Sequence, residues 1–411
     1  MDVLFLSPAY PPEMQQFTRG LAEVGARVWG VGDTPRGALP AHVKRHLSGY
    51  LQVPAILDED DVIRRVERWL GGRRPDRVEG LWEVVTVLAA RLRERFGVPG
   101  MSPEVVHGFR DKVEMKRRVA AKGVRVPRAI EAHTIEQVLA FIRQVGFPLI
   151  VKPVAGAGSA DTWRVDHEAD LEQVLPRIRH LQAVDVEAFV TGPELTFETL
   201  CVHGRPLYRS VSQYLPNTLV ARQNPWISPI ILCLKDPLHP PGELAGIVPA
   251  GLDLGHRAMD ALGMGTGFTH MEWFVPRPGE AVFGEIACRP PGANMVDLMN
   301  YAGDVDLFRE WARAVVHGKV ELPRERPYHA AIVFKRAQGE GRIQAIEGLQ
   351  RFVARHGPHI ARLELLPIGA KRRDWKQTFL SDGNLVVRHP NLERCRAMAE
   401  EAAATITMHA G

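Results

Sequence analysis

Glu272 and Glu285 stand on two consecutive strand-like segments, HMEWFV and AVFGEIACR, joined by the turn VPRPGEA. In a hairpin of that length the two carboxylates face one another across the ladder, on one side of the sheet. Like charges so placed repel unless a cation lies between them, and an oxygen site completed by nucleotide phosphate is what Mg²⁺ prefers. Arg289, four residues beyond Glu285, projects from the strand end toward the same space, and its planar fork suits a transferring phosphoryl or acyl phosphate group. His270 shares the face of Glu272 by strand alternation. An acid/base or substrate-contact role for it stands beside that of a satisfied structural histidine.

Lys152 closes the apolar run of FPLIVKPVAGAGS and precedes a glycine-spaced loop with Gly156, Gly158 and Ser159. A lysine ending a buried strand needs an anion beside it, and glycines let main-chain N–H groups approach phosphate oxygens closely. The lysine comes before the glycines, so this is not a Walker A loop; a surface lysine before a hairpin is the plainer reading. Lys112 lies on a helix with Lys116 one turn on. By itself that pair reads as a solvated basic face, and it gains weight only in the company of Lys152. VEAFVTGPELTFE, residues 186 to 198, is an apolar hinge followed by Gly192 and Glu194. Such a segment can bond an adenine edge through its main chain while a carboxylate takes the ribose hydroxyls, although a turn glutamate is the bland alternative.

The elements that must position these groups fall into three regions, because 411 residues exceed what one hydrophobic core organises. VLFLS, a helix opened by Pro11 and Pro12 with Phe17, Leu21 and Val24 on one face, and ARVWGVG form a βαβ unit. Its turn, Ser-Pro-Ala-Tyr-Pro-Pro, lacks GxGxxG, which disfavours a dinucleotide site and favours a structural α/β role. An acid-capped helix from Asp58, a strand near 78–82 and a helix ending before FGVPG continue the pattern. From Pro103, helices at 110–122 and 134–145 precede strands crowded closely enough to predict an antiparallel sheet. Residues 220–243 are Pro-rich and read as an irregular lid or substrate loop, with Arg222 and Trp226 as candidates for gripping a substrate carboxylate or side chain. From about Pro323, strands alternate with two helices, one at 391–408. The expected domains are 1–105, 106–320 with a hinge near 187–194, and 321–411.

The chain is 45% hydrophobic and 24% charged, and its net charge of +4 is too diffuse to argue for nucleic acid. Its four cysteines form no CxxC or Cys/His metal spacing and read as reduced thiols. With no apolar run long enough for a signal or a membrane span, a soluble, cytoplasmic protein is expected.

Taken in order, Lys112, Lys152 with its Gly-rich loop, the Glu187 to Glu194 hinge, and Glu272 and Glu285 with ExxxRxxG resemble the ATP-grasp superfamily. Within it, GEIACRPPGAN and the C-terminal region look most like the carboxylate–amine ligases that join L-amino acids, and more distantly like biotin carboxylases and carbamoyl phosphate synthases. The resemblance implies an α/β plus α+β fold, with a Rossmann-like N-terminal domain and a C-terminal β-rich lid. It implies ATP and one or two Mg²⁺ ions, with Mn²⁺ a substitute, and a small carboxylate and an amine, amino acids foremost, as substrates. Membrane and nucleic-acid partners are not expected; a homodimer is suggested by analogy. Lys112 and Lys152 would bind phosphates under the loop at Gly156 to Ser159. Glu187, Phe189 and Val190 would frame adenine, and Glu194 would hold ribose. Glu272 and Glu285 would ligate Mg²⁺, and Arg289 would stabilise an acyl phosphate that an amine then attacks to give amide, ADP and phosphate. One position departs: Ala287 stands where the family commonly has a third metal ligand, asparagine, and Asn294 compensates only if its turn folds back. Two rivals remain. One is a carboxylase or carbamoyl phosphate-type enzyme using bicarbonate, although the chain carries no MKM carrier motif. The other is a non-catalytic ATP-binding protein, which would have no use for the arginine clamp.

Overall fold

The computed structural model describes residues 1–154, 162–178, 180–375, 378 and 380–411. Its first unit is a parallel sheet of β1 (Asp2–Leu6), β2 (Arg27–Gly32), β3 (Gly49–Gln52) and β4 (Arg77–Glu79), in the order β3-β2-β1-β4. Val3 to Leu6 are fully buried, as a central parallel strand covered on both faces must be. Asp58 caps the helix Glu59–Leu70 by accepting from the Asp61 N–H, and Gly71, left-handed, ends it. The helix Met14–Glu23 packs against Leu307–His317 so closely that a Cβ on Gly20 would meet the Phe308 carbonyl at 2.6 Å. Phe17 lies edge-on to Phe308 and Trp311 at 4.9 and 5.2 Å. The N-terminal unit is thereby joined to the rest through one shared core, in which Phe5, Phe17, Phe268, Trp311 and Ile332 all take part.

A second, smaller sheet holds β5 (Ala129–Ala132), β6 (Leu149–Pro153), β7 (Trp163–Val165) and β8 (Val184–Ala188), antiparallel in the order β5-β8-β6-β7. A capping box at Thr134 and Gln137 starts the helix Ile135–Val145 that covers it.

The third sheet has eight strands. β9 (Glu194–Val202), β10 (Arg205–Leu215), β11 (Ile230–Cys233), β12 (Gly267–Phe274) and β13 (Val282–Ala287) precede residue 320; β14 (His329–Phe334), β15 (Ile343–Glu347), β16 (Ile360–Leu365), β17 (Gly383–His389) and β18 (Thr407–Ala410) follow it. The order β13-β12-β9-β10-β11-β14-β17-β16 runs unbroken across that boundary, while β15 and β18 pair in a separate ribbon. The crossing is made by β11, inside the stretch expected to be irregular. Its four residues, IILC, are all buried and pair with both β10 and β14. The prolines that suggested a loop lie outside this apolar run, so they punctuate the strand rather than prevent it. The helix at the C-terminus spans Leu392–Thr405, and all four cysteines are free and buried. Among the described residues no helix is long and apolar enough to cross a membrane.

Candidate functional site

β12 and β13 put Glu272 directly opposite Glu285, and His270 opposite Ala287. The register slips by one residue between Glu272 and Trp273, at Gly284, where a Cβ would meet the Glu272 carbonyl at 2.8 Å. Glycine is therefore what lets the hairpin bulge beside its two carboxylates. The Lys112 ammonium lies 3.3 Å from Glu285 Oε2. Burial alone would raise the Glu285 carboxyl, but Lys112 and Lys152 outweigh it and hold the group below the usual carboxylate range. A charged carboxylate facing a second one across the ladder is a donor set that fits Mg²⁺. Among the described residues no group of three or more His, Cys, Asp or Glu side chains is arranged to hold a metal, so further oxygens would have to come from a ligand. Asn294 does not fold back to help. It is left-handed at φ 57° ahead of the helix Met295–Gly303, is buried, and lines neither cavity described below.

Behind this pair opens a cleft of about 1060 Å³, lined by Lys112, Lys152, Glu187, Phe189, Val190 and Glu194 among others. The basic helix face expected to be solvated is not. Asp111 caps the helix Lys112–Ala121, and both Lys112 and Lys116 are buried. Lys116 pairs with Asp185 at 2.9 Å and with Glu187; Lys152 pairs with Glu187 at 2.6 Å. Burial, and then the Lys152 charge, pull Lys116 down to about 8. Burial also lowers Lys152, against the pull of Glu285 and Asp185. The Glu187 side chain thus pairs with both lysines where it lines the cleft. Phe189 carries the Arg164 guanidinium 4.3 Å over its ring and gives its N–H to Pro148. Glu194 Oε2 accepts from the Thr218 N–H at 2.7 Å, and burial, reinforced by Glu272, raises its carboxyl to about 8. Gly192, at φ 113°, packs so tightly that a Cβ would collide with the Val275 carbonyl, and Asn217 Nδ2 donates to its oxygen at 2.9 Å. Gly156, Gly158 and Ser159 lie outside the described residues.

A second cavity, of about 1930 Å³, shares Thr218, Glu272 and Glu285 with the cleft, so the carboxylate pair stands at the junction of the two. Arg289 faces this cavity, with its Nε on Glu83 and Nη1 on the Pro290 oxygen at 2.8 Å. Arg110 takes the other Glu83 oxygen. Burial would raise Glu83, but Arg289 and Arg110 outweigh it and pull the carboxyl down to about 2. Sequence reading passed over Glu83; a single acid in LWEVVT gave no sign of a partner 206 residues away. His270 lies 2.9 Å from Glu198 Oε1 through Nδ1 and 3.6 Å from Glu272 through Nε2. Burial opposes its charging, yet its bonds to Glu198 and Glu272 raise it to about 9. Arg222 lines the second cavity, whereas Trp226 is 73% exposed and lines neither. Tryptophan 226 is therefore not part of the site; the turn after the helix Thr218–Gln223 carries it outward.

The profile of the carbamoyl-phosphate synthase L chain ATP-binding domain matches residues 111–193, from the cap of the Lys112 helix through Lys152 to the hinge. Over 233 residues the chain is 30% identical to the D-alanine–D-alanine ligase of Desulforudis audaxviator, covering 53% of this chain and 69% of that one. The chain belongs to the ATP-grasp superfamily. Its ATP-grasp relatives include the L-arginine-specific L-amino acid ligase of Bacillus subtilis, 26% identical over 53% of this chain and 52% of that one. The crystal structure of an L-amino acid ligase from Bacillus licheniformis superposes with a TM-score of 0.76 at 20% identity, covering 99% of this chain and 98% of that one. The chain spans about half the length of the curated amino acid ligases it matches. The mixed α/β architecture expected of an ATP-grasp protein is the one observed.

Proposed function

We propose that this ATP-grasp chain is an ADP-forming carboxylate–amine ligase that makes an amide bond through an acyl phosphate. The observation that carries the reading is the place of Glu272 and Glu285, at the seam between the lysine-lined cleft and the second cavity. In this reading the cleft holds ATP, with adenine against Phe189 and Val190 and the ribose at Glu194. Lys112 and Lys152 draw the phosphates toward the seam, and Asp185, Glu187 and Lys116 keep Lys152 extended. Glu272 and Glu285 would hold Mg²⁺, which would supply the positive charge that offsets the charge spreading over the γ-phosphoryl oxygens.

From the second cavity, a substrate carboxylate attacks the γ-phosphorus. Arg289, held by Glu83, meets the charge on the resulting acyl phosphate. An amine then displaces phosphate. His270, charged and tied to Glu198 and Glu272, acts here as a donor that orients a substrate oxygen rather than as the base. Ala287 offers no ligand, which favours one protein-held ion over two.

The test is ADP release by the full chain with Mg²⁺ and pooled carboxylates and amines. Release that needs both an acid and an amine, with the amide seen by mass spectrometry, supports the ligase. Release driven by bicarbonate in place of the acid would replace it with a carboxylase, and nucleotide binding without release under any pool would leave a regulatory protein.

A further inference from the structure

The helix Thr218–Gln223 is the partition between the two cavities. Leu219, Val220 and Gln223 line the cleft, Ala221 and Arg222 line the second cavity, and Thr218 lines both. A helix of 6 residues, about 9 Å long, is too short to hold its own shape, so the orphan groups at both ends need outside partners. At the N-terminal end Glu194 Oε2 accepts from the Thr218 N–H at 2.7 Å, and Asn217 Nδ2 reaches back to the Gly192 oxygen at 2.9 Å. At the C-terminal end Asn224 Nδ2 donates to the Val220 carbonyl at 2.7 Å, and Arg336 gives Nη1 to the carbonyls of Ala221 and Asn224 at 2.6 and 2.9 Å. A cation in that place also suits the negative end of the helix. Arg336 comes from far along the chain, two residues past β14, and is itself held. Its guanidinium lies 4.5 Å over the Trp375 ring, and Asp382 accepts from the N–H groups of Ala337 and Arg373 at 2.8 and 2.9 Å.

We propose that Arg336 is a positioning residue for the nucleotide that acts from the second cavity: it fixes the partition helix, and the helix in turn fixes Glu194 and the hinge at Gly192. The inference rests on the reading of the cleft as the nucleotide site and adds a mechanical link between that site and the substrate cavity. Arg336 lines the second cavity and not the cleft, whereas Asn217 lines the cleft and not the second cavity. What either residue does to the opposite cavity therefore passes through the helix between them. Without the Arg336 donor, the carbonyls of Ala221 and Asn224 turn to water and the last turn frays. A helix this short loosens as one unit, so the Thr218 N–H is no longer held against Glu194 and the Asn217 amide no longer holds Gly192. The link runs in both directions, because loosening the N-terminal end frees the second cavity's wall at Ala221 and Arg222 in the same way.

The first measurement needs no turnover: Mg-ADP binding to the full chain by calorimetry, with a thermal melt of each variant. Arg336→Met should raise the Kd about fivefold or more, the low end of coupling between sites. Arg336→Lys, which keeps a charged donor for the two carbonyls, should recover most of that loss. Asn217→Ala gives the reciprocal reading. With Mg-ATP saturating, its KM for the substrate acid should rise about fivefold, although Asn217 lies outside the acid's cavity. The double variant should lose less Mg-ADP affinity than the product of the two single losses, because both act on one helix. A folded Arg336→Met whose Kd stays within about twofold of wild type, or losses that multiply fully in the double variant, would overturn the link. Should Arg336→Met fail to fold, Asn217→Ala decides, and an unmoved KM for the acid counts against the link. A wild-type chain that binds Mg-ADP but releases none from ATP with any acid and amine ends the ligase reading and leaves the link to be decided by the Mg-ADP Kd. A wild-type chain that does not bind Mg-ADP ends the nucleotide reading of the cleft, and this inference with it.

Discussion

The lysine-lined cleft and the second cavity meet at the same two carboxylates, yet they are built in opposite ways. One wall of the cleft is built by neighbours in sequence: the helix Lys112–Ala121, β6, β8 and the hinge after it come from one run of about eighty residues, which is also the run that the ATP-binding domain profile matches, while residues 217–223 and the β12–β13 hairpin complete it. Its cations are cancelled inside the site, Lys116 and Lys152 by Asp185 and Glu187. The second cavity is assembled from stretches as distant as Pro11, Trp82, Tyr214, Arg289 and Arg336. On the proposed reading, the contrast separates nucleotide binding from substrate binding. Holding a nucleotide can be encoded locally and inherited as a unit, whereas a substrate pocket made by several elements can change one wall at a time.

The junction should be the most sensitive place, because both halves depend on it. Glu285→Gln removes one of the facing carboxylates and the partner of Lys112. Several kcal/mol of charge stabilisation are at stake, about three decades in turnover. ADP release measured beside circular dichroism checks this; a folded variant with near-normal turnover would dissolve the common centre of the two cavities.

Next in size is Glu83→Gln, which sharpens the contrast because it touches only the second cavity. Without the carboxylate, two half-buried guanidiniums lose the anion they share, and since breaking a fully buried pair costs about 3–5 kcal/mol, a smaller loss of stability is expected here. Arg289 also loses its orientation, so kcat should fall about a hundredfold while the KM for ATP stays near its wild-type value. Steady-state kinetics with a thermal melt would separate the two effects. A rise in the KM for ATP as large as the fall in kcat would mean that Glu83 serves the cleft after all.

The difference in construction also decides what could be seen in advance. The Glu272–Glu285 pairing was legible because a short hairpin and strand alternation leave little freedom of register. Lys152 was legible as a cation ending an apolar run. The burial of Lys112 and Lys116 was not, since a basic helix face looks the same whether water or Asp185 and Glu187 cover it. Glu83 was invisible for a similar reason: its meaning lies in Arg289, which only the tertiary fold brings to it. The continuity of the large sheet past residue 320 was hidden by a strand of only four residues between prolines. Local pattern thus gave the ladder and the charges, and the choice of partner came from packing.

Lys116→Met is the counterpart test in the cleft. Removing this buried ammonium leaves Lys152 as the cation nearest both Asp185 and Glu187, and it should be drawn back toward them. The KM for ATP should rise by about tenfold, the size of one charge-assisted bond, with the KM for the acid and the amine unchanged. Movement of the substrate KM instead would mean that the two cavities are coupled more tightly than their construction suggests.

The smallest effect concerns the strand that leads to the second cavity's far wall. His329 opens β14, buried, and accepts from the Lys235 N–H at 3.3 Å. Burial, with the charges of Lys235 and His389, holds it down to about 4, below the 6.5 of a free histidine. Between those values the unfolded chain binds the proton more readily than the folded one, so stability is whole above pH 6.5 and is lost as the pH falls toward 4. A melt at pH 5 should therefore lie about 1–3 °C further below the pH 7.5 melt for the wild type than for His329→Asn, the scale expected of a modest destabilisation in a chain this long. Because β14 carries Phe334 and runs on to Arg336, mild acid should loosen the far wall of the second cavity before the cleft. Raising the KM for the amine at pH 5.5 with little change in the KM for ATP would place this strain on the second cavity alone; equal changes in both would spread it through the shared sheet.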